Sequence, residues 1–255
     1  MEKSSSNSEG LGDRGQLDLS RRNLTAGLLG IASFNFVSKT AVDTNIHGWN
    51  YGNPSARSDE AYKPAIQNFD NGKLDLNIVN LCLEPENAVN SDEELKIVDD
   101  RLSQLREGLD VDTDSYNLDL PRKYEKLIKE TTVKASRDLT SDIENYLINK
   151  GLLEETEDGL TIYIGDFDTE NGDYIGTGHQ DSNTGAVADK YGNMPHKLNQ
   201  VLHNTGHKLG LPHTLTEDVM SWSPYKKITS FHKVHGFGIE SKKNMEKIIE
   251  HYLEN

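Results

Sequence analysis

Between His203 and His213 the sequence reads HNTGHKLGLPH. His203 and His207 are four residues apart, so on an α-helix both imidazoles project from one face. Gly210 stands where a left-handed residue would end that helix and reverse the chain. The turn would bring His213 back towards the pair. The result is three nitrogen ligands of the kind Zn2+ takes, with a fourth position left for water, an arrangement of catalytic rather than structural zinc. Asn204 follows the first histidine. Its amide can orient water through hydrogen bonds, but it cannot carry a proton near neutral pH. A lone histidine pair at helical spacing is commonplace; the pair followed by Gly210, His213 and Met220 at these offsets is not.

Such residues need a helix, a turn and a packed layer beneath them, and the flanking sequence supplies candidates. Pro195 suits the first position of the histidine helix, and Leu198, Val201, Leu202, Thr205 and Leu209 fall on its core-facing side. Met220 alone would be a gap-filling core methionine; its interest is its place after the third histidine. Upstream, Leu74, Leu76 and Ile78 alternate and continue into Val79, Leu81 and Leu83, a first buried strand. Ser91 with Glu94 forms a capping box before Leu95, Val98, Leu102 and Leu105 at helical spacing. A second helical stretch opens at Pro121 and runs through Tyr124, Leu127 and Ile128. Ser141 with Glu144 repeats the capping signal, and Gly151 closes that segment. Leu160, Ile162 and Ile164 mark a strand after Gly159. A last helix spans about Ser241 to Leu253, with Met245, Ile248, Ile249 and Tyr252 as its apolar stripe. No internal repeat is evident.

The motif resembles that of the metzincin zinc metallopeptidases, H-E-x-x-H-x-x-G-x-x-H followed by a methionine turn. His203, His207, Gly210 and His213 match it, Met220 fits the methionine turn, and Asn204 stands where the family has glutamate. Within that family GHKLGLPH and the short gap after it are most similar to the matrixin branch. The specific resemblance covers about His196 to Trp222. It implies an α+β, zincin-type domain: a small mixed twisted sheet, a zinc-site helix, a methionine turn and a C-terminal helix. It also implies one Zn2+ held by His203, His207 and His213, and peptide-bond hydrolysis by zinc-activated water.

In that family the glutamate takes the proton from the attacking water and delivers it to the leaving amine. Removing a positioned acid–base group costs about 10²–10⁴ in rate, so Asn204 predicts impaired hydrolysis. Glu217 and Asp218 are candidate replacements for the base, although a solvated loop is the simpler reading of both. The alternative function is a catalytically inactive zinc-binding pseudopeptidase that binds peptides or proteins.

The resemblance further implies an edge strand that pairs with extended peptide, for which Gly176 to Val187 are the candidates. Asp166, Asp168, Asp173 and Asp181 offer hard oxygens for Ca2+, but without EF-hand spacing a solvated loop is the simpler reading. His179 and His196 read as surface residues able to hydrogen-bond a substrate carbonyl. The loop Ser221 to Gly236 carries Trp222, Tyr225, Phe231 and His232, aromatics that either line a specificity pocket or pack over the core.

With 255 residues the chain accommodates a leader and one well-packed domain. The formal charge of −15 argues against nucleic-acid and anionic-membrane partners. Ser20-Arg21-Arg22-Asn23-Leu24 resembles a twin-arginine export motif. The weakly apolar Leu24 to Val37 stretch after it suits a signal region and is too short for a membrane span. The expected organisation is a signal region at 1–40, a polar linker or arm at 41–72 and the metallopeptidase-like domain at 73–255. The expected protein is a monomer exported from a prokaryotic cell, without a stable membrane span once mature. Cys82 is the sole cysteine; no disulfide framework exists, and the residue reads as a small buried hydrophobe in a strand. Nothing around it resembles the zinc-capping cysteine segment of matrixin proenzymes.

Overall fold

The computed structural model of the protein describes residues 63–154, 159–169, 176–178, 183–189, 193–214, 218–221 and 233–253. The chain divides into two units, Met1–Gly48 and Trp49–Asn255, and every described residue belongs to the second. The twin-arginine motif, Asp173, His179, Asp181, Glu217, Trp222, Tyr225, Phe231 and His232 lie outside the described residues.

Five strands form one mixed sheet: β1 (Lys73–Leu81), β2 (Asp110–Leu118), β3 (Leu160–Gly165), β4 (Gly176–Gly178) and β5 (Thr184–Ala188). Their order across the sheet is β2-β1-β3-β5-β4. Neighbours are parallel except β4, which runs antiparallel to β5 at one edge. Among the described residues six α-helices accompany them: α1 (Lys63–Asp70), α2 (Asp92–Leu102), α3 (Arg122–Glu130), α4 (Arg137–Asn149), α5 (Met194–Lys208) and α6 (Ile239–Leu253). The mixed sheet, the histidine helix and the C-terminal helix are those expected.

Strand alternation distributes the apolar side chains between two cores. Leu74, Leu76 and Ile78 of β1, Leu160, Ile162 and Ile164 of β3 and Val187 of β5 join residues of α1, α2, α5 and α6. The intervening Val79, Leu81, Tyr163, Ala186 and Ala188 face Ile128 of α3 and Ile143 and Leu147 of α4. Covering both faces is what a largely parallel sheet requires, and it explains why β3 is buried throughout rather than alternately. No helix among the described residues is long and apolar enough to cross a membrane.

Several elements depart from the sequence expectation. Residues 63–70 are not linker but α1, whose Ala65, Ile66 and Phe69 are fully buried in the core. The strand β2 gives no apolar signal because it is an edge strand. Asp110, Asp112 and Asp114 point to solvent, and buried Thr113 donates a 2.6 Å hydrogen bond to Asp99. The Ser91–Glu94 capping box is present. Ser141, by contrast, lies inside α4, which begins at Arg137 after Ser136. Cys82 is only partly buried and follows β1 in the left-handed region (φ 55°). Its sulfur accepts a 3.4 Å hydrogen bond from the Leu120 amide, and burial pushes its thiol pKa up.

The histidine helix is tied to the sheet by a buried ion pair. Lys197 in its first turns is 2 % exposed, and its Nζ lies 2.5 Å from Asp189 Oδ1, just beyond β5. The same ammonium donates to the Asn87 carbonyl at 2.5 Å, so α5 is held to both β5 and the β1–α2 connection. Asp189→Ala should lower the unfolding free energy by about 3–5 kcal/mol, because it strands a buried ammonium. Urea denaturation of the two proteins measures this. A loss under about 1 kcal/mol, typical of an exposed pair, would count against a buried tie.

Candidate metal centre

The helix α5 carries His203 and His207 one turn apart, and its C-terminus is shaped to return the chain. Gly210 adopts φ +91°, its amide donates to the His207 carbonyl at 3.0 Å, and the Leu211 amide donates to the Gly206 carbonyl at 2.9 Å. This pair of bonds is a Schellman motif with glycine in the left-handed position, where a side chain would be strained. It places His213 opposite the helical pair.

The three Nε2 atoms lie 3.0 Å (His203–His207), 3.2 Å (His207–His213) and 3.3 Å (His203–His213) apart. Nitrogens bound tetrahedrally to Zn2+ at about 2.0–2.1 Å would be separated by about 3.3–3.4 Å, so the spacing fits that ion. The ring orientations fit as well. His203 Nδ1 lies 2.8 Å from the Val219 carbonyl and His207 Nδ1 lies 2.9 Å from the Leu211 carbonyl. A carbonyl only accepts, so each Nδ1 carries the hydrogen and each Nε2 lone pair faces the shared centre. Among the described residues these three histidines form the cluster that could hold a metal ion. Asp166 and Asp168 join no such cluster there, and Asp168 is instead tied to Thr131 and Val133 through its backbone. The calcium expectation gains no support.

Met220 is fully buried. The residue that admits it is Gly206, which the sequence reading passed over. A Cβ at 206 would collide with Met220 Sδ and lie 3.2 Å from the Phe237 ring. A glycine inside a helix costs about 1 kcal/mol against alanine, and that cost was the available signal of a close approach. Asn199 was also passed over. One turn before His203, its Nδ2 donates to the Lys233 carbonyl at 2.8 Å and its Oδ1 accepts from the His235 amide at 2.7 Å. It pins the chain leading into α6 against the histidine helix.

Asn204 is 1 % exposed. Its Nδ2 donates to the Gln200 carbonyl one turn back at 2.8 Å, and its amide presses on Gly176 of β4, where a Cβ would overlap it. Edge strand and histidine helix therefore meet at the residue beside the first ligand. Asp218 is not in a solvated loop. It is 4 % exposed, and its carboxylate accepts four hydrogen bonds, which removes it as a replacement base. His196, expected at the surface, is 3 % exposed in the first turn of α5.

No protein-family model and no curated protein matches the sequence. Among solved structures, archaemetzincin from Archaeoglobus fulgidus in complex with malonate aligns with 67 % of this chain and 99 % of its own, at 12 % identity and a TM-score of 0.41. A chain from a chaperone–substrate complex aligns with 71 % of this chain and 35 % of its own, at 16 % identity and a TM-score of 0.37. The chemistry of the centre rests on its own atoms, not on these loose likenesses.

Two outcomes follow from this packing. Gly206→Ala, ordinarily stabilising in a helix by about 1 kcal/mol, should here lower Tm and weaken zinc binding because its methyl displaces Met220. A higher Tm would contradict the crowding. The second concerns acid. Burial lowers the pKa of His196 below 6.5, and burial likewise lowers that of His203 despite the Val219 carbonyl and Asp218 acting the other way. A histidine kept neutral in the fold binds protons more readily once unfolded. Stability of the metal-free protein should thus be complete above pH 6.5 and decline as pH falls below it towards the depressed folded values. Thermal scans in chelator would show this, and a flat acid limb would refute it.

Proposed function

We propose that this chain is a metallopeptidase-like protein of the metzincin type, binding one Zn2+ through His203, His207 and His213 beside a strand edge that receives extended peptide. One observation carries the reading: three buried or half-buried Nε2 atoms stand within 3.3 Å of one another, with the opposite nitrogen of two rings committed to backbone carbonyls. When bound, Zn2+ supplies Lewis acidity towards water and a peptide carbonyl. The strand β4 ends the sheet order and touches Asn204, so peptide added there would run past the centre. GHKLGLPH and its short gap to Met220 support a matrixin-like variant, and Ser20 to Leu24 support export from a prokaryotic cell.

A second reading, the zinc-binding pseudopeptidase, is favoured by Asn204. Its amide is buried, bonded to its own helix and packed against Gly176, and an amide moves no proton near neutral pH. Peptide capture then outlasts hydrolysis as the main property of the site.

The test compares the natural protein with Asn204→Glu, measuring zinc content and casein cleavage. Both should hold one zinc per chain, and cleavage by the natural protein should be slower by about 10²–10⁴. Absence of zinc from both would end the metalloprotein reading. Equal cleavage would show that another group serves as the base.

A further inference from the structure

Asp218 has no base role, yet its carboxylate accepts four hydrogen bonds close to the histidines. Its Oδ1 accepts from Thr214 Oγ1 at 2.7 Å and from the Met220 amide at 2.8 Å. Its Oδ2 accepts from the Gly238 amide at 3.2 Å and from Ser241 Oγ at 2.8 Å. The first two donors belong to the metal centre and the last two to the start of α6, 23 residues away from Asp218 in the case of Ser241.

We propose that Asp218 is a positioning residue that couples the three-histidine centre to the C-terminal helix. Thr214 follows His213 directly. Its amide donates to the Met220 carbonyl at 3.0 Å while its hydroxyl is held by Asp218, so two bonds fix the backbone carrying the third ligand. Between Asp218 and Met220 lies Val219, whose carbonyl orients the His203 ring. Val219 is gripped on both sides: its own amide donates to the Gly236 carbonyl at 2.9 Å, and the next amide, of Met220, is held by Asp218. One carboxylate thus sets the carbonyl behind His203 and the peptide behind His213.

The other oxygen reaches across to α6. The Gly238 carbonyl accepts the Lys242 amide at 3.1 Å, so Gly238 begins the helix, and its own amide is satisfied by Asp218 rather than by a local capping side chain. A carboxylate at that end also meets the positive pole of the helix. The fit is close: a Cβ at Gly238 would lie 3.1 Å from Asp218 Oδ2 and 3.2 Å from Asp218 Cβ. Metal affinity is consequently linked to the docking of a helix that supplies no ligand. This inference rests on the metal-site reading above.

The experiment measures Zn2+ affinity of the full-length protein, by competition with a chromophoric chelator, in the natural protein, Asp218→Asn and Ser241→Ala. Thermal unfolding of the metal-free proteins is followed alongside. Asn keeps the size of Asp but turns an NH2 towards donors, and it should weaken zinc binding about 10–100-fold, the usual effect of losing a group that orients metal ligands. Its Co2+-loaded form should also show a shifted visible spectrum, which a remote loss of stability would not produce. Ser241→Ala removes one donor from the α6 side only and should weaken binding about fivefold; it decides the matter if Asp218→Asn does not fold. Zinc affinity within twofold of the natural protein in the folded variants, with only a lower Tm, would overturn the proposal while leaving the metal site intact. Failure of the natural protein to bind zinc would instead remove the metal-site reading, and this coupling with it.

Discussion

Three imidazole nitrogens brought to one point repel each other unless a proton or a cation lies between them. Everything described around His203, His207 and His213 serves to hold them in that arrangement. The Nε2 atoms approach to 3.0–3.3 Å because the Nδ1 atoms of His203 and His207 are engaged by backbone carbonyls, which leaves the rings little freedom to rotate away. Those carbonyls belong to segments that are themselves fixed. Leu211 sits in the Schellman turn, and Val219 is held between Asp218 and Gly236. The fold thus holds the three histidines in a spacing that suits Zn2+, and an ion bound by the folded state alone would add to stability.

The layers of the domain answer to that centre. Lys197 and Asp189 fix the histidine helix to the sheet through charges that are nearly inaccessible to water. Gly206 lets Met220 approach the helix between the two helical ligands, and Phe237 closes over the same point. Small residues thus appear where backbone and side chain must come close, Gly206 under the site and Gly176 against Asn204. Each gives up intrinsic helix or strand propensity for a contact that no larger residue could make.

Asn204 illustrates why residue type and residue role are separate questions. From type alone it could have served to orient water. In the folded chain its amide nitrogen is bonded to Gln200 and its bulk abuts the edge strand, so it joins helix to sheet at the threshold of the centre. Asp218 makes the same point in reverse. By composition it was a plausible base in a polar loop; by environment it is a buried acceptor with all its bonding directions occupied.

By itself the sequence determined the parts of this protein that depend on local geometry. Histidines four apart share a helical face, glycine alone sits easily at φ +91°, and apolar residues two apart, such as Leu160, Ile162 and Ile164, mark one face of a strand; the histidine cluster, the turn, β1, β3 and the C-terminal helix were legible for those reasons, whereas burial of β3 on its other face was not. The strand β2 and the helix α1 were not, because their stability comes from partners rather than from pattern. An acidic edge strand is held by its register with β1, and α1 by Ala65, Ile66 and Phe69 meeting residues distant in sequence. The destinies of Asn204, His196 and Asp218 likewise awaited the tertiary structure. Burial and hydrogen-bond partners across 20 or more residues decide whether a polar side chain is solvent, ligand, base or clamp, and a one-dimensional spacing carries no record of them.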